Sequence, residues 1–206
     1  MYNLIEQLML TRSLKMSPGS IELFQKRVSM FPVKFFVYLL RDAHESNDPT
    51  FIYRSARRDG YDWFKAMLEL AQVRNNEEII RLGADILTMA GWGKFEFREL
   101  DLKQRRMLVE VDESSVVEEY LKEYGVSKHA VDDVLRGFFA GGACLMVGDG
   151  AYEFLELNCR ARGDLKCLMQ GKTRAECDLS NDFIKFQIGE KGETFDVSFL
   201  TAGAPK

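Results

Sequence analysis

Apolar positions recur with a helical period in several windows of the chain and switch to strict alternation in one stretch. Leu4, Ile5, Leu8 and Met9 form a short helical stripe within residues 1–16, which Pro18-Gly19 ends. Residues 21–31, with Leu23, Phe24 and Val28 among polar neighbours, read as one strand or a hairpin edge. Pro32 opens a helix to about His44, since proline suits the first helical turn, and its expected face is Phe35, Phe36, Leu39 and Leu40. Asn47-Asp48-Pro49 is another start signal, followed by a helix to about Arg58 that Asp59-Gly60 breaks. Trp63, Phe64, Met67, Leu68 and Ala71 mark a helix over 61–73, and Asn75-Asn76 separates it from one over 77–89, ended by Gly91.

From Lys94 to Leu102 the residues alternate as in a half-buried strand, and 107–111 returns as its partner after a turn at Lys103-Gln104. Residues 112–115 offer caps for a helix through Tyr124, closed by Gly125, and Ser127 caps the next, to about Val147. Two strands follow, about 151–159 and 165–170. In the tail, Phe183, Ile184, Phe186 and Ile188 face Phe195, Val197 and Phe199 across the glycines at 189 and 192, which reads as a terminal hairpin. The sum is a single α+β domain, four or five helices packed on an antiparallel sheet.

With 46% hydrophobic and 12% aromatic content, the 206 residues can bury a sizeable core. A net charge of -4 argues against nonspecific nucleic-acid binding. The local clusters Arg54, Arg57, Arg58 and Arg105-Arg106 read as solvated faces. No apolar run is long enough to span a membrane. Glu6 interrupts what would be a signal peptide, so the expected location is the cytoplasm. There the four cysteines are buried thiols or metal ligands before they are disulfides.

The densest chemistry is Glu156-Leu-Asn-Cys159-Arg-Ala-Arg-Gly163-Asp-Leu-Lys-Cys167. A turn at Arg162-Gly163-Asp164 between strands can bring both sulfurs and the carboxylate to one point, a donor set suited to tetrahedral zinc. The other reading is two buried apolar thiols. A fourth ligand is needed unless water fills the position. The helix ending near Val147 and the strand returning to Cys159 are of similar length. Cys159 should therefore lie beside the helix start, near His129, Asp132 and Asp133, and far from Cys144. Such a site would be structural. Only two histidines exist, His44 and His129, so a histidine-based triad is not expected. His44 sits at a helix end, where a cation is favourable. No phosphate-binding loop is present. Trp92, Phe95, Phe97, Phe138 and Phe139 either fill a core or line an apolar cavity.

At this point the chain resembles the 4-vinyl reductase domain family, whose fold is similar to core subunits of the transport protein particle (TRAPP) tether. The resemblance covers about 19–171. It rests on Gly19-Ser-Ile-Glu-Leu-Phe, on Ala90-Gly-Trp-Gly before the hairpin, on Arg136-Gly-Phe-Phe-Ala-Gly141, and most on the segment from Glu156 to Cys167. Residues 1–18 would be an N-terminal helical extension, 19–171 the ligand-binding domain, and 172–206 a C-terminal extension that forms the hairpin. The resemblance implies a zinc held by three cysteines and a glutamate. Glu156, Cys159 and Cys167 match three positions, but the fourth holds Asp132, so Asp132, Asp133, His129 or, more remotely, Cys144 completes the site, or the site has degraded. It also implies a small apolar ligand between helices and sheet, hence a noncatalytic binding or sensor module. The alternatives are an interaction scaffold in the manner of the tether subunits and a reductase or accessory protein of tetrapyrrole metabolism; no nicotinamide or flavin motif supports the reductase. The expected pocket lies between residues 137–143, with Gly141 as a small wall residue, the stretch 92–97, and the helix carrying Trp63 and Phe64. Tyr61, Arg98 and Arg136 are its candidate polar groups. No DNA-binding motif precedes Gly19, so a sensor's output would need a partner protein or self-association. A homodimer is expected, with the short N-terminal stripe seeking a surface to cover.

Overall fold

The computed structural model describes residues 2–70 and 75–197. Helix α1 (Tyr2–Leu10) leads into a three-stranded meander of β1 (Leu14–Ser17), β2 (Ser20–Leu23) and β3 (Lys26–Val28). Three helices follow: α2 (Val33–Glu45), α3 (Phe51–Leu70) and α4 (Asn76–Met89). The hairpin β4 (Lys94–Asp101) and β5 (Arg106–Asp112) precedes α5 (Ser115–Tyr124) and α6 (Asp133–Val147). The chain continues as β6 (Tyr152–Asn158), β7 (Cys167–Thr173) and α7 (Asp182–Ile188). The large sheet is antiparallel in the order β4-β5-β7-β6. The fold is α+β, with the helices packed on antiparallel sheets.

Several elements arise where local signals place them. Asn75 caps α4 by accepting from the Glu77 N–H, and Ser114 caps α5 by accepting from Val117. Gly125 ends α5 at a positive φ of 72°. Met107, Val109 and Val111 alternate inward from β5 and are buried against α6, whose Leu135, Phe139 and Ala143 are also buried.

Other elements differ from the sequence reading. Pro18-Gly19 does not stop a helix but turns β1 into β2, so the first 18 residues supply a strand as well as α1. Leu8 is buried with Leu23, Phe24, Phe64 and Met67, so the α1 stripe covers its own domain. The buried face of α2 is Val37, Leu40 and Ala43, whereas Phe35 and Leu39 are exposed. Ser127 accepts from the His129 N–H in a loop, and α6 begins only at Asp133. The tail forms α7 rather than a hairpin, because Asn181 caps it at the Phe183 N–H and Ile184 and Ile188 fall on one helical face. Ala71, Val73 and Phe199 lie outside the described residues.

Asp59-Gly60 does not break α3. Gly60 stays helical where α3 and α6 run in the same direction at close approach. A Cβ on Gly60 would lie 2.2 Å from the Phe138 carbonyl oxygen, on Gly137 2.4 Å from that of Tyr53, and on Gly141 2.0 Å from that of Arg57. Glycine is needed wherever two backbones meet this closely. The face of Gly137 and Gly141 is therefore spent on helix contact. Gly141 walls no cavity, contrary to the expectation from the sequence.

Candidate metal centre

Strand parity builds the site. Val111 pairs with Cys167, Val109 with Met169, and Met169 with Glu156, so Cys167 and Glu156 project from the same inner face of the sheet, toward α6. The β6 register slips between Glu156 and Asn158. The chain then makes a single 3-10 turn at Arg160–Arg162 and reverses at Gly163, with φ of 95°. Asp164 stitches the reversal by accepting from the Cys159 N–H at 2.8 Å. The Glu156 carboxylate and the Cys159 and Cys167 sulfurs lie within 4.8 Å of one another, and all three residues are buried. Tetrahedral zinc with ligands at about 2.0–2.3 Å spaces its donors roughly 3.3–3.8 Å apart, so small side-chain movements close the set.

The start of α6 supplies a fourth group. Asp132 is fully buried, and its N–H donates to Glu156 Oε2 at 3.3 Å. Although Asp132 holds the helix-cap position, its side chain caps nothing. Its two carboxylate oxygens and Glu156 Oε1 make no well-formed hydrogen bond, the Ser114 hydroxyl near Asp132 and the two thiols near Glu156 being weak neighbours. Buried oxygens without donors are costly, and a cation between them removes the cost. Desolvation by burial first, and then the neighbouring Glu156, push the Asp132 carboxyl well above its usual range. Burial, followed by the charge of Cys159, does the same to Glu156. The Cys167 thiol donates to Cys159 and pulls it down to about 7, while Cys167 is raised. Backbone N–H groups of Val131 and Arg160 point at the two sulfurs, an arrangement that favours thiolates. Burial thus makes Asp132 and Glu156 acids that hold their protons, while Cys159 is the member of the cluster that gives its proton up most readily.

The other proposed ligands are engaged elsewhere. Asp133 pairs with Arg136 and with His44 at 2.8 Å, and these partners hold its carboxyl below the usual range against the upward push of burial. His44 stands in the last turn of α2, where the sequence places it, with its ring buried against Asp133. His129 stacks on Phe186 at 3.7 Å between centroids. Cys144 lies at the opposite end of β6, donating to Gly150 and Tyr152 carbonyls beside Arg57.

Of the expected pocket residues, Phe95 and Phe97 pack edge-on against Phe139, and Phe138 packs on Trp63 and Phe64. Trp92 meets Phe36 of α2. Arg98 pairs with Glu96 and Glu110 on the exposed sheet face, while Tyr61 donates to the Asp196 carbonyl, stacks on Phe195 and packs against the cluster that holds Phe64. Arg136 is fully buried beside Asp133 and the Tyr53 ring. Arg57 is also buried, against its reading as part of a solvated face. It joins Tyr53, Glu153 and Arg174 in a polar group that no local spacing announces. Gln187, on α7, was likewise missed; its side chain bonds the Glu156 backbone from 31 residues away.

No protein-family profile and no curated protein matches this sequence. Among solved structures, the phenol-responsive sensory domain of the transcription activator PoxR, with phenol, is similar at a TM-score of 0.74. The alignment covers 91% of this chain and 96% of that one at 15% identity. The two share a fold. A trafficking protein particle complex subunit 3 from Naegleria fowleri, covalently bound to palmitic acid, aligns over 69% of this chain and 92% of that one, with 12% identity and a TM-score of 0.48. A vinyl-4-reductase family protein from Methanocaldococcus jannaschii aligns over 70% and 83%, with 17% identity and a TM-score of 0.43. Among the described residues, no helix is long and apolar enough to cross a membrane.

Proposed function

We propose that this protein is a noncatalytic module that binds a small apolar molecule and carries a structural zinc. The zinc reading is supported by one observation: Glu156, Cys159 and Cys167 are buried with their donor atoms within 4.8 Å of one another, and the buried Asp132 carboxyl, close enough to act electrostatically on all three, lies beside them. Zinc would be held by these four side chains, and it would supply a fixed crosslink between the β6–β7 turn and the start of α6. With every position taken by protein, no place is left for a substrate water, which is the hallmark of a structural site.

The ligand reading is supported by the inner face of β4. Its Phe95 and Phe97, and Trp92 just before the strand, are only half-buried, while Val109 and Val111 on the adjacent β5 are fully buried. An apolar, aromatic face that opens toward a sheet edge is the kind of surface that takes small apolar ligands. The PoxR domain of the same fold is phenol-responsive, so a small aromatic molecule is the first class to try. Phenol titrated into the zinc-loaded protein should quench Trp92 saturably, and Phe95→Ala should weaken that response. Trp63, the second tryptophan, is removed by Trp63→Phe to isolate the signal. No saturable response to phenol or to a larger apolar probe would end the ligand reading. Output to a partner protein or to a second copy of the chain belongs to the same proposal.

A further inference from the structure

The helix α7 lies outside the segment in which the metal cluster sits, yet one of its side chains is built into that cluster. Gln187 is 2% exposed. Its Oε1 accepts from the Glu156 N–H at 2.8 Å, and its Nε2 donates to the Glu156 carbonyl at 3.2 Å. β6 is an edge strand with only β7 beside it. The Gln187 amide thus occupies the place of the missing neighbour strand, at the one residue of β6 whose side chain belongs to the cluster. The main chain of Gln187 adds a second link. Its carbonyl accepts from Arg136 at 3.2 Å, and Arg136 pairs with Asp133, next to Asp132. Glu156 directly, and Asp133 at the start of α6 through Arg136, are therefore both tied to Gln187.

We infer that Gln187 is a positioning residue for the metal centre, fixing the Glu156 backbone so that its carboxylate stays aimed at the two sulfurs. The inference rests on the zinc reading above. Removing the amide leaves a buried N–H and a buried C=O at Glu156 without partners, and the backbone there must move to find new ones. Groups that orient metal ligands from outside the ligand set typically change metal affinity by about 10–100-fold when lost. Coupling is reciprocal: if α7 holds the metal site, the metal also holds α7.

The test uses the full chain, stripped of metal and titrated with Zn²⁺ against a competing chelator, and with Co²⁺ for its thiolate charge-transfer band. Gln187→Met keeps the length and apolar bulk of the side chain but removes both hydrogen bonds. It should bind Zn²⁺ about 10–100-fold more weakly and shift the Co²⁺ band. Ile188→Ala loosens the packing of the same helix while leaving the amide in place. It should lower the melting temperature but retain the native affinity and band. In the native protein, removing Zn²⁺ should speed hydrogen exchange in α7. Native affinity and an unshifted band in Gln187→Met would overturn the inference, as would an equal loss in Ile188→Ala or unchanged exchange in α7. If Gln187→Met does not fold, Gln187→Asn keeps a neutral amide but draws it back from the Glu156 backbone by one methylene, and the same measurements apply to it. A native protein that takes up neither ion fails before any variant is made. That result refutes the zinc reading itself and is distinct from a failure of the role given to Gln187.

Discussion

At the residue scale, Asp132 decides whether the cluster is a metal site or a protonated pocket. Asp132→Ala should lower zinc affinity sharply and leave the metal-free protein no less stable. Removing a buried carboxyl that is poorly hydrogen-bonded relieves a penalty of about 1–3 kcal/mol. Equal destabilisation of the zinc-loaded and zinc-free forms would contradict this, and paired thermal melts measure both. The pH dependence follows from the same groups. Burial raises Asp132 and Glu156, so in the metal-free fold they hold protons above the pH at which the unfolded chain releases them. An acid whose folded pKa is raised contributes stability at low pH and loses it as pH rises through the folded value. Zinc needs the opposite state, with carboxylates and thiolates deprotonated. The melting-temperature gap between zinc-loaded and chelated protein should therefore widen as the pH rises through about 7, where Cys159 gives up its proton. A gap that stays constant or narrows would count against metal ligation by these side chains.

At the scale of elements, the contact of α3 with α6 is the most demanding in the fold. Gly141 sits over the Arg57 carbonyl, a backbone atom that cannot swing aside as a side-chain tip can. Gly141→Ala should destabilise the protein by about 1–3 kcal/mol through overpacking, and Gly141→Leu should prevent folding. Urea unfolding of the Ala variant gives the value, and an unchanged midpoint would mean that the helices stand further apart. The same contact explains why α3 runs through Asp59-Gly60. A glycine lowers helix propensity by about 1 kcal/mol relative to alanine, but here it lets two helices bury their length against each other. Local propensity marks a break, and tertiary packing overrides it.

At the scale of the whole molecule, the outer face of α2 stands out. Met30 is 85% exposed, Phe31 57%, Phe35 44% and Leu39 38%, and the Phe31 and Phe35 rings stack at 5.3 Å. With α1 folded onto its own domain, this face is where self-association is expected. Exposed apolar patches commonly mark interfaces, and two-fold dimers are the commonest assemblies. Phe35→Glu should yield a monomer with an unchanged fold. Light scattering at micromolar concentration, with far-ultraviolet circular dichroism as the control, checks both parts. A native protein that is already monomeric would remove the dimer.

What the sequence determined by itself was what short-range chemistry can encode. The alternation in 94–111 specifies β4 and β5, and Asn75, Ser114 and Gly125 punctuate α4 and α5, because caps and periods act within a few residues. The Glu156, Cys159 and Cys167 cluster was legible for the same reason. Its members lie within twelve residues of one another, and one tight reversal at Gly163 brings them together. The cap at Asn181 was present too, but alternating aromatics in the tail suggested strands and hid it. Only the tertiary structure showed that Asp133, His129 and Cys144 are engaged by Arg136, His44, Phe186 and Arg57, which leaves Asp132 as the fourth group to propose. It also turned the Gly137 and Gly141 face from a pocket wall into a helix seam, and placed Gln187 against Glu156. These outcomes depend on which surfaces meet across distant parts of the chain, and no local pattern of apolar and polar residues encodes that meeting.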